Sequence, residues 1–240
     1  MKSVLVTGSD SGLGLSLCKE LIKRGFFVIA SCKSKKGLNK IKRVLEISEF
    51  DQEDVDIAEE LAAEREPRKG ISILLDVTSD ASVENAARVV SDGIKSGKAP
   101  NLHALVNNAG IWRFSLIEES CLSVESRLRE LERWKLIMET NLIGPVRVTL
   151  GFLPVLKMSK GSRIIFVSSV LDRIAMPGQS SYISSKYALR GFHEALLHDL
   201  MHSGVQSIII CPGAIRDTCL FDYDFSLPDD PRGFKESLSM

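Results

Sequence analysis

Three observations predict an α/β fold, a doubly wound, mostly parallel sheet with helices on both faces. Short, nearly continuous apolar runs rich in Val and Ile alternate with longer amphipathic stretches. Such runs read as strands buried on both faces, and their alternation with helices makes βαβ units. The first run leads straight into a glycine-rich loop, "TGSDSGLG", ahead of an amphipathic stretch. Finally, 240 residues with 44% hydrophobic and 26% charged side chains suit one domain of this class, spanning 1–240, with a sizeable core.

The elements follow in chain order. "SVLVTG" from Ser3 is the first strand, and "LSLCKELIKRG" is the helix after it. "FFVIASC" from Phe26 is the second strand, "ISILLDV" from Ile71 the third and "LHALVNNAG" from Leu102 the fourth. "SRIIFVSS" from Ser162 and "VQSIIICPG" from Val205 are the fifth and sixth. The expected sheet order is 3-2-1-4-5-6.

Between the second and third strands the charge changes sign. Residues 33–43 hold six basic side chains and no acidic one, whereas 46–66 hold ten acidic side chains and one basic, Arg65. This reads as a basic helix followed by an acidic helical insertion over 46–66. Ten carboxylates cannot be buried cheaply, so the insertion is expected at the surface and dispensable for chemistry.

Composition narrows the functional classes. The formal net charge is zero, so nothing points to a nucleic acid or an anionic membrane. The five cysteines are widely spaced without a Cys-x-x-Cys, which suggests neither a disulfide framework nor a zinc site. A reducing compartment, hence the cytoplasm, is the simplest expectation. The chain opens on a strand, which leaves no room for a leader or anchor, and no membrane span is expected.

The chemistry-bearing motifs start with Gly8, Gly12 and Gly14. Glycines between a strand and a helix permit a tight turn and let backbone N–H groups approach a pyrophosphate. Further on, "SSYISSKYALRGF" holds Tyr182 and Lys186, four apart and so on one helix face. Chance alone gives Tyr-x-x-x-Lys in about one such chain in five, so the pair needs support from elsewhere.

That support comes from the order of motifs. Thr7 to Gly14, Asn107–Gly110, Asn141 in "ETNLIGP", Ser169 thirteen residues before Tyr182, and Pro212–Gly213 after the sixth strand follow one another along the chain. In these the sequence resembles the short-chain dehydrogenase/reductase family over about residues 3–218, closest to its retinol, hydroxysteroid and 3-hydroxybutyrate dehydrogenase branch. The resemblance implies a Rossmann-type fold and a catalytic set of Asn141, Ser169, Tyr182 and Lys186. Ser169 would bond the substrate oxygen, and Asn141 would hold a water linking Lys186 to solvent. It further implies cofactor contacts at Gly8, Ser9, Asp10, Ser11, Gly12, Leu13 and Gly14, at Lys33, and at Asp76 (toward adenine) with Val77. Asn108, Ala109, Gly110, Tyr182, Lys186, Pro212, Gly213 and Ile215 complete that set.

The pairing has a physical rationale. A free phenol has a pKa near ~10, and a base at neutral pH needs ~7, a difference of about 4 kcal/mol. A lysine ammonium at ~4 Å supplies about that much at an effective dielectric of ~20. Tyr187, with Gly191 four residues on, reads as packing, and Ser168 as filling the strand end. Glu194, His198 and His202 are spaced along one helix face, but a solvated face outweighs a metal site there, and no metal is expected.

For the cofactor, Lys33, Lys35 and Lys36 after the second strand favour NADP by charge, while Asp10 inside the glycine loop would repel a 2′-phosphate. The expectation is NAD, with NADP open. Two departures from the branch stand out. Asp172 replaces a usual glycine beside the substrate pocket, and only 22 residues follow Thr218, with no apolar run for a strand. The usual seventh strand is therefore expected to be missing, with 219–240 a short tail that, or a partner chain, shields the sixth strand. The leading expectation is an oxidoreductase acting on a small-molecule alcohol or carbonyl, with a homo-oligomer left open. The alternative is a non-catalytic cofactor-binding protein of the same fold.

Overall fold

The computed structural model describes residues 1–49 and 69–215. All six expected runs form strands: β1 (Ser3–Val6), β2 (Phe27–Cys32), β4 (Gly70–Leu74), β5 (Leu102–Asn107), β6 (Arg163–Val167) and β7 (Gln206–Ile210). Their mutual order is the expected one, and every pairing is parallel. The sheet nevertheless has seven strands, not six, in the order β3-β4-β2-β1-β5-β6-β7. The extra one, β3 (Ser48–Glu49), pairs with β4 through Ser48↔Ile71 and Glu49↔Ser72.

β3 also corrects the reading of the acidic insertion, whose first residues are not helical. Helix α2 (Lys35–Leu45) ends at Glu46, which adopts a left-handed conformation at φ 54° and turns the chain back toward the sheet edge. The remainder of the insertion and the tail 219–240, with any cover for the β7 edge, lie outside the described residues.

Alternate residues of the central strands feed two cores, as the two-residue period of a strand requires. Leu5, Ile29, Leu105 and Ile164 face α3 (Asp80–Lys95), α6 (Gly144–Lys157) and α7 (Ser180–Asp199), where Val90, Phe152 and Leu189 are buried. Val4, Val6, Val28 and Val106 face α1 (Gly12–Lys23) and α2, packing on Cys18, Leu38 and Ile41. With both faces covered, the strands need no polar residue, which explains their continuous hydrophobicity.

After β5 the chain forms a short α4 (Ile117–Ser120) and then α5 (Val124–Met138). A π-helical turn, Glu139–Ile143, joins α5 to α6. Pro145 has no N–H, and its ring crowds the carbonyl four residues back, that of Asn141, so the wider turn relieves a conflict written in the sequence. The joined helix runs through Val124–Lys157, 34 residues, and is long and apolar enough to cross a membrane by length and composition. That differs from the expectation of no such segment, because the loop-like "ETNLIGP" hid its continuity. Its α6 half is a core helix, with Val148, Phe152 and Leu156 fully buried against the sheet.

Candidate active site

The site lies at the C-terminal ends of β1, β5, β6 and β7, and its first half is the glycine loop. Gly8 and Gly12 have φ of 65° and 49°, a conformation that L side chains rarely adopt. Gly14 is needed for contact: a Cβ there would stand 2.2 Å from the Gly8 carbonyl oxygen and 2.6 Å from Asn108 Nδ2. The loop is pinned by polar side chains on both flanks. Thr7 Oγ1 accepts from the N–H groups of Asn108 and Ala109, both at 2.9 Å. Asn108 Nδ2 donates to the carbonyls of Thr7 and Gly8 at 2.8 and 3.1 Å. Ser9 is fully buried and donates to the Val6 carbonyl at 2.7 Å, so its side chain fastens the loop rather than facing a ligand.

The N-terminus of α1 is left without a side-chain cap, as are those of α4, α6 and α7. Helices α2, α3 and α5 are capped by Ser34, Ser79 and Ser123, each accepting an N–H bond three residues on. Ser11 precedes α1 in extended conformation, but its side chain makes no cap bond, and the first turn carries no acidic residue. Uncapped N–H groups at the positive end of a helix, over a strand terminus, suit a pyrophosphate. A dinucleotide therefore fits this end of the chain.

Beside the loop, an open cleft of about 650 Å³ is lined by Asp10, Ser11, Ser34, Lys36, Lys40 and Arg43, among others. Lys33, expected from the sequence to meet the ribose, is exposed and does not line it. Helical spacing turns Lys36, Lys40 and Arg43 inward instead. Asp10 lines the cleft beside Gly37, its Oδ2 being the atom a Cβ on Gly37 would meet at 2.8 Å.

The second half of the site gathers the expected catalytic residues. Ser169 ends β6 and starts a 3₁₀ turn, Val170–Asp172, its Oγ accepting from Leu171 N–H at 3.2 Å. The β6–β7 ladder continues past both strands: Ser168 N–H donates to the Ile210 carbonyl at 2.8 Å and Val170 N–H to the Pro212 carbonyl at 2.9 Å. These bonds hold Pro212 and Gly213 beside the serine turn, and Ile215 follows them, half-buried. Tyr182 and Lys186, on α7, are buried to 6% and 5% exposure. Tyr182 packs with Trp112 and Leu171, and Phe114 and Ile183 close round them. Tyr187 is exposed on the same helix and takes no part.

Asn141 is buried within the π turn and clasps the chain after β5. Its Oδ1 accepts from Ile111 N–H and its Nδ2 donates to the Ile111 carbonyl, both at 2.8 Å. Nδ2 also donates to Ser185 Oγ at 3.1 Å, and Ser185 in turn donates to the Tyr182 carbonyl at 2.6 Å. The asparagine thus braces the tyrosine helix, a role carried by Ser185 that no sequence motif signalled. Asp76 binds its own turn, accepting from Thr78 N–H at 2.9 Å and Thr78 Oγ1 at 2.7 Å. Arg147 was likewise unforeseen. It donates to the Val77 carbonyl at 2.7 Å and pairs with Asp80 and Glu139, fastening the Asp76–Val77 turn to α6.

The electrostatics correct one expectation. Burial raises the Tyr182 phenol from 10.0 to about 12, against a smaller pull downward from the neighbouring Ser169 hydroxyl. Lys186, expected to lower it, donates to the Val167 carbonyl at 3.0 Å and lies 5.5 Å from the tyrosine ring centroid. Its own pKa is driven by burial from 10.5 down to about 8. Two groups that the sequence pairs by spacing are thus each perturbed mainly by desolvation. Asp172, where the branch usually has glycine, is buried and pairs with Arg190 at 2.7 Å.

Comparison with known proteins agrees with this geometry. A family described as short chain dehydrogenase matches residues 2–225. Rat mitochondrial D-beta-hydroxybutyrate dehydrogenase is 35% identical over 212 residues, covering 88% of this chain and 54% of its own. Human retinol dehydrogenase 5 is 32% identical over 213 residues, covering 89% and 56%. The chain therefore spans little more than half the length of these relatives. Among solved structures, a short-chain dehydrogenase/reductase from Burkholderia phymatum in complex with NAD superposes with TM-score 0.70 at 21% identity, over 92% of this chain and 68% of that one. An alcohol dehydrogenase from Thermococcus sibiricus complexed with 5-hydroxy-NADP gives 0.67 at 25%, over 90% and 77%.

Proposed function

The chain belongs to the short-chain dehydrogenase family, and from that premise we propose that it interconverts a lipophilic alcohol and its carbonyl compound using a nicotinamide dinucleotide. The observation that carries the proposal is the buried Tyr182 phenol with Ser169 against it and Lys186 one turn away. The names of the similar enzymes suggest retinoids, steroids or short hydroxy acids, and the Trp112, Leu171, Phe114 and Ile183 surround favours the apolar ones.

When bound, the cofactor supplies the hydride acceptor or donor. The chain supplies the rest. The uncapped N-terminus of α1 would hold the pyrophosphate and the Lys36–Lys40–Arg43 cleft would receive the adenosine ribose, with Asp76 assigned to the adenine by the family resemblance alone. Asp10, lining that cleft, supports NAD as the preferred form. Ser169 Oγ accepts from Leu171 N–H, and its O–H, directed toward Tyr182, would donate to a substrate oxygen placed between the two. With its pKa raised, Tyr182 is protonated at neutral pH and serves as a general acid toward a carbonyl oxygen. Alcohol oxidation asks the same phenol to receive a proton, so that direction should speed up as pH rises.

The test offers NAD or NADP with a panel of retinol, hydroxysteroids and 3-hydroxybutyrate, following absorbance of the reduced nicotinamide. Turnover is expected, and Tyr182→Phe should lower it by ~10²–10⁴-fold with cofactor affinity nearly unchanged. A phenylalanine variant with near-normal turnover would remove Tyr182 from the chemistry. Cofactor binding without turnover on any substrate would leave a binding protein in the enzyme's place.

A further inference from the structure

Asp172 is a carboxylate with 1% exposure in a site otherwise lined by hydroxyls and apolar rings. It stands three residues after Ser169, on the 3₁₀ turn that Ser169 starts, and its N–H donates to the Ser169 carbonyl at 3.0 Å. Its Oδ1 accepts from Arg190 Nη2 at 2.7 Å. Arg190 lies on α7 one turn after Lys186 and two turns after Tyr182, so its guanidinium extends the catalytic face of that helix. Asp172 Oδ2 accepts from the Cys211 thiol at 3.1 Å, and Arg190 Nη2 also reaches Cys211 Sγ at 3.3 Å. Cys211 directly precedes Pro212 and Gly213.

One buried carboxylate is therefore bonded to all three segments that carry the second half of the site: the Ser169 turn, the Tyr182–Lys186 helix and the chain leaving β7. Lys186, buried on α7 one turn before Arg190, feels this carboxylate, whose charge raises the lysine pKa against the larger effect of burial. Arg173 on its own turn approaches Oδ1 at 3.7 Å but is two-thirds exposed. On α7, Arg190 also contacts Glu194 at 3.6 Å, and Glu194 is largely exposed. Burial pushes the Asp172 carboxyl up, but hydrogen bonds from Arg190, Ser168 and Cys211, with the charge of Arg190, together outweigh it and hold it below the usual range, so it is ionised at neutral pH.

We propose that Asp172 is a positioning residue of this site, clamping the Ser169 turn to the tyrosine helix through Arg190 and fixing a negative charge on the turn whose Leu171 packs against Tyr182. The proposal rests on Tyr182 being the proton-exchanging group. A like charge near a phenol disfavours phenolate, so this carboxylate keeps the proton on Tyr182, while Arg190 moderates that effect. Glycine at 172, usual in the branch, supplies neither the clamp nor the charge. This chain has thus rebuilt the wall of its pocket around an ion pair.

The test is direct titration of Tyr182 by NMR of ring-labelled tyrosine, its resonance identified by loss in Tyr182→Phe. It needs no turnover, so it stands apart from failure of the catalytic reading. Asp172→Asn keeps the shape and removes the charge, and Tyr182 should begin to ionise about one pH unit below the wild type. A merely structural role would lower the melting temperature and leave that resonance's titration in place, and this outcome overturns the proposal. If Asp172→Asn does not fold, Arg190 decides. Arg190→Gln should shift ionisation of Tyr182 upward while Arg190→Lys keeps it at the wild-type position, and identical titrations in these two variants overturn it as well. Where turnover is found, the acid limb of alcohol oxidation should move with the resonance in every variant.

Discussion

The two halves of the site are built in opposite ways. The glycine-loop half, at the ends of β1 and β2, is made of backbone. Its side chains, Thr7, Ser9 and Asn108, are turned inward on neighbouring carbonyls and N–H groups, and what faces outward is an uncapped helix terminus. The Ser169–Tyr182 half, at the ends of β6 and β7, is made of side chains, and the ionisable Lys186, Tyr182 and Asp172 among them are buried, with Arg190 partly so. A backbone site requires small residues at fixed spacings and tolerates no Cβ where the chain closes on itself. A side-chain site requires partners brought in from distant elements, and each burial moves a pKa.

The largest effect should come from breaking the backbone half. Gly14→Val places a Cβ 2.2 Å from the Gly8 oxygen, so the loop cannot keep its path and dinucleotide binding should be lost. Calorimetric titration checks this, and unchanged affinity would move the cofactor off the loop.

Breaking the other half should instead change how the protein responds to pH. Lys186 has a native pKa near 8 against 10.5 unfolded, so between those values the unfolded chain binds more protons and stability rises with pH. Holding the ammonium buried below pH 8 costs roughly 3 kcal/mol. Lys186→Met should flatten the rise, as read from denaturant midpoints at several pH values. Parallel curves for the two proteins would show the lysine to be better solvated than its burial implies. Tyr182 has the opposite sign: raised above its unfolded value, it contributes stability that is present below pH 10 and lost as pH climbs toward 12.

A smaller effect tests the link between the halves. Asn141→Ala leaves the Ile111 N–H and carbonyl without their partner and should cost about 2–3 kcal/mol by urea denaturation. A loss under ~0.5 kcal/mol would mean that the π turn holds itself. The smallest effect concerns cofactor choice. Asp10→Ala should raise NADP affinity relative to NAD by a few-fold, and Lys40→Gln should do the reverse. A ratio insensitive to both would place the discrimination elsewhere.

This contrast also explains what was legible beforehand. The glycine loop could be read because its requirements are local: positive φ at Gly8 and Gly12 and contact at Gly14 each fix a residue type within eight positions. The Tyr182–Lys186 spacing could be read because one helix turn fixes it. Which basic side chains line the cleft was not legible, because charge after a strand does not say which ones a helix will turn toward it, and Lys36, Lys40 and Arg43 are those. The strand Ser48–Glu49 was missed because two residues carry no periodicity, and the acidic run around them pointed to a solvated helix.

By itself, the sequence determined the six main strands and the glycine turn, where strand periodicity and glycine sterics act within a few residues, while its resemblance to a family singled out Ser169, Tyr182 and Lys186. Tertiary structure alone decided that Asn141 clasps Ile111, that Arg147 fastens the Val77 turn and that Lys186 faces the Val167 carbonyl. It alone brought Asp172, Arg190 and Cys211, spread over 39 residues of chain, into one hydrogen-bonded cluster. Desolvation and long-range pairing depend on what the whole fold brings together, and no local pattern of residues records that.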